Sequence, residues 1–373
     1  MYNFWNIVGF EYKKLFKKKM VWMTLIIMFA ISLFMPLSSI LSSKTSDGSS
    51  YYENTKEHIQ EDIQMSGQQL DENMFSKYRN TDVRMPHTFS RMLMIIIGND
   101  DITNMNAEQM YEGRTKILQA DRKNVFLTEQ ENKYWVQQDK NIAKPFLYQY
   151  CSGYQVMIAM FYTLEALQVL LCAICVSSIF AEEHMQHTDQ LNLCTAQGKS
   201  KLFFAKIFVG VTFSLAATVG LMLASAIPNF MIYGLEGFYA QIQMIYPGCS
   251  YALSTGNVMC ILTGIVLITA VLHSSIAMVL SEHFQTNVIS LAIMTGYLML
   301  ALAFNIPEQY RVASQIWNGM PNNLVSMQGL LDARLVTIGK GFFMQWQVVP
   351  VVYLVVVAVA VWLCYQSYRK YNI

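Results

Sequence analysis

Residues 155–180 read QVMIAMFYTLEALQVLLCAICVSSIF, an apolar stretch that contains one formally charged side chain, Glu165. A helix needs roughly 20 apolar residues to cross a bilayer core about 30 Å thick. Only a helix or a closed barrel satisfies its own backbone polar groups there. Five further stretches are long and apolar enough, at residues 20–41, 207–233, 254–280, 287–305 and 347–364. The sequence therefore predicts an all-α membrane protein with six transmembrane helices.

The overall composition also indicates a membrane protein. Only 14% of the 373 residues are charged and the mean hydropathy is +0.29, whereas soluble domains have roughly 25% charged residues. The predicted spans contain one formal charge, Glu165, and one histidine, His273. The 26 basic and 25 acidic residues leave a net charge of +1. Because a nucleic-acid binder normally carries a basic stripe or a large excess of Lys and Arg, no nucleic-acid partner is predicted.

The positions of Lys and Arg predict the orientation, because short cytosolic loops are enriched in both residues. The connection at 234–253 contains neither residue, and the one at 306–346 contains three. Clusters of these residues precede the first span, flank the third and follow the sixth: Lys13, Lys14, Lys17, Lys18, Lys19, Lys199, Lys201, Lys206, Arg369 and Lys370. Both termini are therefore predicted to be cytosolic.

The connections have distinct predicted structures. Lysines interleaved with aromatic residues before the first span are typical of a helix lying in the head-group plane, although an ordinary basic flank explains them equally well. Apolar residues at helical spacing after that span predict an extracellular helical domain, interpreted as a small cap or, alternatively, as a substrate-binding domain. The predicted order is a cytosolic amphipathic helix (1–19), the first span (20–41), the extracellular domain (42–154), the second span (155–180), a cytosolic segment (181–206), spans three to five (207–305), extracellular re-entrant or amphipathic helices (306–346), and the sixth span with a cytosolic tail (347–373).

Three polar residues inside the spans are candidates for a substrate path. An ionisable group within a span costs roughly 2.5 kcal/mol or more and usually faces a cavity or a partner. Glu165 is such a group, and Gln168 lies on the same helix face. His273 lies in the fourth span. The alternatives are that Glu165 lies near the outer interface and that His273 forms interhelical hydrogen bonds.

Two catalytic motifs are incomplete. Gly198-Lys199-Ser200 ends like a phosphate loop, but Leu193 stands where that loop needs its first glycine, so the chain is not predicted to bind ATP. Glu182 and Glu183 lie near two histidines without forming the H-E-x-x-H pattern of a zinc hydrolase. A solvated inner loop is the favoured interpretation. No catalytic residue and no metal site are therefore predicted.

The cytosolic segment resembles the corresponding part of type-2 ATP-binding-cassette (ABC) exporter permeases. These permeases commonly carry a Glu after the second span, a Thr five residues later, a Leu pair, and a Lys that opens the third span. Phe180, Glu183, Thr188, Leu191, Leu193, Thr195 and Lys206 resemble that run in order and spacing. His187 and Ala196 depart from it, where the family often has Gly and Pro. The six-span layout is similar as well, and the domain after the first span resembles that of permeases from Gram-positive bacteria.

The resemblance implies a membrane-spanning permease in a bacterial cell membrane that is not itself an enzyme. A separate cytosolic ATPase subunit would bind ATP and Mg²⁺, and a second permease subunit, identical or related, would complete the transport unit. A peptide, an antimicrobial or a lipid-like molecule would be exported. A sensor or immunity protein that captures an extracellular peptide without moving it is one alternative, and an intramembrane hydrolase is another. The residues implied to couple to the ATPase are Glu182, Glu183, Thr188, Leu191 and Thr195.

Overall fold

The computed structural model describes residues 4–41, 51–79, 85–98, 105–186, 198–339 and 341–370. It is helical with almost no sheet. Thr188, Leu191 and Thr195 of the predicted coupling segment lie outside the described residues.

Five helical runs among the described residues are long and apolar enough to cross a membrane. These runs are Lys19–Ser38, Ser152–Met185, Ser200–Tyr233, Thr255–Phe284 and Gln345–Arg369. At the predicted fifth span the helix has 17 residues, Asn287–Ala303, or about 26 Å at 1.5 Å per residue. It ends just before Asn305-Ile306-Pro307, where the proline disfavours helix in the residue before it. The structure thus supports a protein with several membrane-length helices, and the count of six stays a prediction.

The bundle begins with an aromatic-rich helix whose surface is divided. Val8 and Leu15 are buried against the other helices, whereas Trp5 and Phe10 are exposed.

The bundle helices are α1 (Phe4–Lys17) and α2 (Lys19–Leu41), then α8 (Ser152–Leu171), a π-helical turn (Cys172–Val176), α9 (Ser178–Met185), a second π-helical turn (Gly198–Leu202), α10 (Phe203–Tyr233), α11 (Thr255–Phe284), α12 (Asn287–Ala303) and α16 (Gln345–Lys370).

The run from α8 to α9 lies at the centre of the bundle. In its most apolar window 78% of the residues are buried, compared with 11% for α16. The α8 helix packs against α2, α10, α11 and α12. At Gly210 in α10, the end of the Met278 side chain of α11 packs directly against the backbone, in the space that a Cβ would take. The central run is therefore surrounded by its own chain, while α2 and α16 leave most of their apolar surface uncovered.

The segment after α2 forms a helical domain, which we call the cap. Its base closes where Gly67 and Leu70 donate backbone hydrogen bonds to Tyr148 and Phe146. A capping box opens the last cap helix, where Thr128 and Glu131 exchange side-chain and backbone hydrogen bonds. The cap helices are α3 (Tyr51–Gln64), α4 (Glu72–Tyr78), α5 (His87–Ile97), α6 (Ala107–Asn124) and α7 (Glu129–Lys140).

Short elements connect the remaining helices. The 3₁₀ turn Ile242–Met244 lies between α10 and α11. Cys249, which follows that turn, and Cys151, before α8, are both free thiols. Between α12 and α16 lie α13 (Arg311–Asn318), α14 (Pro321–Leu324), α15 (Met327–Leu330) and a hairpin of β1 (Val336–Ile338) and β2 (Gly341–Phe343), in which Val336 pairs with Phe343.

Candidate functional site

Glu165 lies near the middle of the central helical run. It follows Ser152, the first residue of α8, by 13 positions, or about 20 Å of helix. The run continues for another 20 residues to Met185. The Glu165 side chain is completely buried. This position favours the interpretation of a carboxyl group inside the bundle over that of a hydrated group at a helix end.

The three polar residues predicted on the second and fourth spans lie together, in what we call the Glu165 cluster. Thr269 Oγ1 donates to Glu165 Oε2 at 2.9 Å. His273 Nδ1 lies 2.9 Å from Gln168 Oε1 and 3.5 Å from Glu165 Oε1. Since a carbonyl oxygen only accepts, Nδ1 carries the hydrogen in the bond to Gln168. The cluster therefore ties α8 to α11 by three side-chain contacts.

The Glu165 cluster continues toward α10. Gln168 Nε2 donates to Cys172 Sγ at 3.3 Å, and that sulfur lies 3.0 Å from Ser214 Oγ. Ser214 in turn donates to the Ala270 carbonyl at 3.2 Å. A chain of polar groups thus connects three helices within the apolar core. Its side chains face one another and are closed to solvent, so they form no open path in this conformation.

A second polar group lies at the other end of the central run, in what we call the Glu183 cluster. Glu183 in α9 accepts from Lys14 Nζ at 2.6 Å through Oε1, and Lys206 Nζ lies 2.7 Å from its Oε2. Lys206 is 1% exposed and also donates to the Ile179 carbonyl at 3.2 Å. Its ammonium group lies 4.9 Å from the centre of the Phe180 ring. One carboxylate therefore joins α1, α9 and α10.

Neighbouring residues extend the Glu183 cluster to two further helices. Lys18, between α1 and α2, lies 2.5 Å from Glu182 Oε2 and donates to the Ser178 carbonyl at 3.1 Å. His184 Nε2 lies 2.9 Å from Glu282 Oε2 at the end of α11. Three consecutive residues of α9 thus each contact a different helix or helix junction. These contacts fasten the end of the central run to its surroundings.

The charges of the Glu183 cluster support one another. Burial lowers the pKa of Lys14, but the carboxylates of Glu11 and Glu183 more than offset this effect and leave the pKa above its usual value. Lys14 is therefore cationic at neutral pH. Because Glu183 lies between two ammonium groups, a metal cation would have to displace them to reach its carboxylate. Among the residues that the structure describes, no three His, Cys, Asp or Glu side chains converge as metal ligands.

Glu182 and Glu183 contact lysines for which the sequence predicted a different role. Both were predicted to contact an ATPase, but Glu183 is 5% exposed and its carboxylate faces the bundle. Lys14 served only as an indicator of orientation, Lys206 as an indicator of orientation and as part of the permease resemblance, and Thr269 and Ser214 were missed. The sequence did contain a signal for the Glu183 cluster. Glu183 lies at the end of one predicted span, and the oppositely charged Lys14 and Lys206 lie near the ends of two others.

Comparisons with protein-family models, curated proteins and solved structures find no match for this chain.

Proposed function

We propose that this chain is the transmembrane permease subunit of an ABC exporter in a bacterial cell membrane. A separate cytosolic ATPase would hydrolyse ATP, and a second permease subunit would complete the transport unit. The exported molecule would be a peptide, an antimicrobial or a lipid-like compound. Five apolar helices of membrane length support a membrane protein. The observation that carries the proposal is the Glu183 cluster, together with its place in the chain.

The Glu183 cluster brackets the segment that would contact the ATPase. The described part of the chain stops at Gln186, just after α9, and resumes at Gly198, just before α10. Glu183 on one side of this gap pairs with Lys206 on the other, at 2.7 Å. A force applied to residues 187–197 would therefore reach α9 and α10 together, and α1 through Lys14. Such a link suits a segment that transmits motion from a cytosolic partner to the spans.

The energetics of burial favour transmission as a rigid unit. Removing one partner of a buried ion pair costs about 3–5 kcal/mol, because the other charge is left without compensation. Both Glu183 and Lys206 are buried. The cluster would therefore stay intact while the helices that it joins move. The ATPase can shift the spans only if nucleotide binds one of their arrangements more tightly than the other.

The Glu165 cluster would supply polar groups to a substrate once the spans separate. Glu165 and Gln168 in α8 face Thr269 and His273 in α11. Separation of these two helices would expose a carboxyl, an amide, a hydroxyl and an imidazole group near the middle of the apolar run. Intramembrane ionisable groups commonly mark such pathways. In this proposal the closed cluster is the resting arrangement of the path.

Reconstitution tests the proposal. The full chain is purified in detergent, alone and with its cognate cytosolic ABC ATPase, and ATP hydrolysis is measured. We expect no hydrolysis by the chain alone and a stable complex with the ATPase. Glu183→Gln should reduce the response of the complex to substrate, whereas Lys133→Gln, an exposed change in the cap, should not. Failure of the ATPase to bind would refute the proposal.

Capture of an extracellular peptide without transport is a second candidate, because a cavity of about 650 Å³ lies beneath the cap. Ligand binding that persists unchanged when the ATPase is catalytically inactive, with no movement of the ligand across the membrane, would favour it. No contact in the described residues favours the intramembrane hydrolase.

A further inference from the structure

The cavity beneath the cap is separate from both polar clusters. It lies between α5, α6, the first turns of α8, the loop at residues 245–250 and the α15 region, and its volume is about 650 Å³. Small-molecule sites typically measure roughly 300–1,000 Å³. None of its lining residues belongs to the Glu165 or Glu183 clusters. A ligand here would therefore occupy a site that the proposed export mechanism does not use.

The loop at residues 245–250 forms a preformed wall. Arg114 is 1% exposed; its Nε donates to the Pro247 carbonyl at 2.8 Å and its Nη2 to the Cys249 carbonyl at 3.1 Å. Burial raises the pKa of the Asp139 carboxyl group. The guanidinium of Arg114, 2.7 Å away, and the ammonium of Lys144 lower it by more, so the pKa lies below its usual value. Gln243 donates a second hydrogen bond to the Cys249 carbonyl at 3.1 Å. Buried side chains thus hold this backbone in place, as in a site that is formed before its ligand arrives.

Much of the cavity lining is apolar and suits a hydrocarbon chain. Aliphatic side chains line it from the cap side and from the loop, and flexible side chains of Met and Leu line it from the α15 side. Unbranched methionine adapts to irregular apolar ligands. The residues of this apolar wall are Ile95, Ile117, Leu118, Ile245, Met327 and Leu331.

The lining also presents opposite charges from adjacent positions of α6, Asp121 and Arg122. Arg122 is half-buried, and one of its five N–H groups donates to Ser250 Oγ at 3.2 Å. The Asp121 carboxylate packs over Gly248. Neither residue has an ion-pair partner among the described residues. Arg91 and Glu308 add one further charge of each sign to the lining.

We propose that this cavity binds a zwitterionic amphipath. The hydrocarbon lies against the apolar wall, the anionic part of the head group pairs with Arg122, and the cationic part pairs with Asp121. A purely anionic head group would face Asp121 and a purely cationic one would face Arg122, and like charges at short range are unfavourable. A zwitterion satisfies both. This binding does not depend on the proposed coupling to an ATPase.

Fluorescence quenching tests the proposal, because Trp135 lines the cavity. The full chain in a maltoside detergent is titrated with ω-bromododecyl phosphocholine, whose bromine quenches nearby tryptophan. The reference probes are the matching alkyl phosphate and alkyl trimethylammonium. We expect saturable quenching that is tightest for the phosphocholine and is lost in Trp135→Phe. Non-saturable quenching, or equal affinity for the three probes, would overturn the proposal.

Charge variants make the test independent of a general loss of folding. Arg122→Gln and Asp121→Asn should each weaken phosphocholine binding about tenfold, the loss of one charge-assisted contact. They should also shift the preference in opposite directions, Arg122→Gln toward the trimethylammonium probe and Asp121→Asn toward the phosphate probe. Lys123→Gln, at the next position of α6 and outside the cavity lining, should change neither property. The same probe preference in all variants would refute the assignment of the head-group site.

Discussion

Replacing Glu183 with glutamine removes the charge that two lysines share. Lys14 is 30% exposed at its side chain and keeps a contact with Glu11 at 3.3 Å. Lys206 is buried, and its remaining neighbours are the Ile179 carbonyl and the Phe180 ring. A buried charge left without its partner costs about 3–5 kcal/mol. We therefore expect Glu183→Gln to lower the free energy of unfolding by that amount.

The adjacent residue is a matched control. Glu182 pairs with Lys18, but their side chains are 34% and 20% exposed, and such pairs contribute about 0–1 kcal/mol. Thermal and denaturant unfolding of the full chain in one detergent should therefore separate Glu183→Gln clearly from Glu182→Gln. Adding Lys206→Met to Glu183→Gln removes the uncompensated ammonium group and should restore part of the stability. Equal effects of the two glutamate changes, or no recovery in the double variant, would refute this reasoning.

Three further predictions concern the cap and the Glu165 cluster. Burial raises the pKa of Glu131, but hydrogen bonds from Arg311, Thr128 and Leu335 lower it by more, so the pKa lies below its usual value. The ionised Glu131 therefore stabilises the folded state. Its contribution is present above the unfolded pKa of about 4.3 and is lost as pH falls through the lower folded pKa. Limited proteolysis of the cap should accelerate below about pH 4, and Glu131→Gln should flatten that pH profile; an unchanged profile would count against it. Arg114→Met should cost about 3 kcal/mol, because the Pro247 carbonyl loses its hydrogen-bond donor and Asp139 loses the guanidinium. It should also speed hydrogen exchange at residues 245–250, unlike Lys116→Met on the exposed side of α6. Glu165→Gln should alter substrate-stimulated ATP turnover without weakening ATPase binding, and unchanged transport would remove Glu165 from the path.

Apolar runs predict where the long helices lie, because burial in lipid or protein demands continuous hydrophobic sequence. They do not predict where those helices end. The central run continues past residue 180 through Glu182 and Glu183 to Met185. A hydropathy pattern ends the span before these carboxylates, because charged residues are typical of loops. Their neutralising partners Lys14 and Lys206 are distant in sequence, so a local pattern does not include them. The helix Asn287–Ala303 differs in the opposite direction, because it ends two residues before the end of the predicted span at 287–305.

The polar cluster was partly predictable for a similar reason. Glu165 and His273 stand out because ionisable groups are rare in apolar spans. Thr269 and Ser214 do not, because hydroxyl side chains are common there and bond to their own helix as readily as to another. Thr269 does both, donating to Glu165 and to the Val266 carbonyl. Which hydroxyl meets which carboxyl depends on how α8, α10 and α11 are placed relative to one another, and no local pattern encodes that placement.

Site-specific cross-linking between this chain and the proposed ATPase subunit tests most directly whether residues 187–197 transmit motion to the spans. A photoreactive residue is placed at Leu191, in the segment bracketed by the Glu183 cluster, and at Lys133 in the cap as the control. We expect that Leu191 cross-links to the ATPase, that bound nucleotide changes the yield, and that Lys133 gives no product. Failure at Leu191 in a complex that hydrolyses ATP, with cross-links at other cytosolic positions, would contradict it.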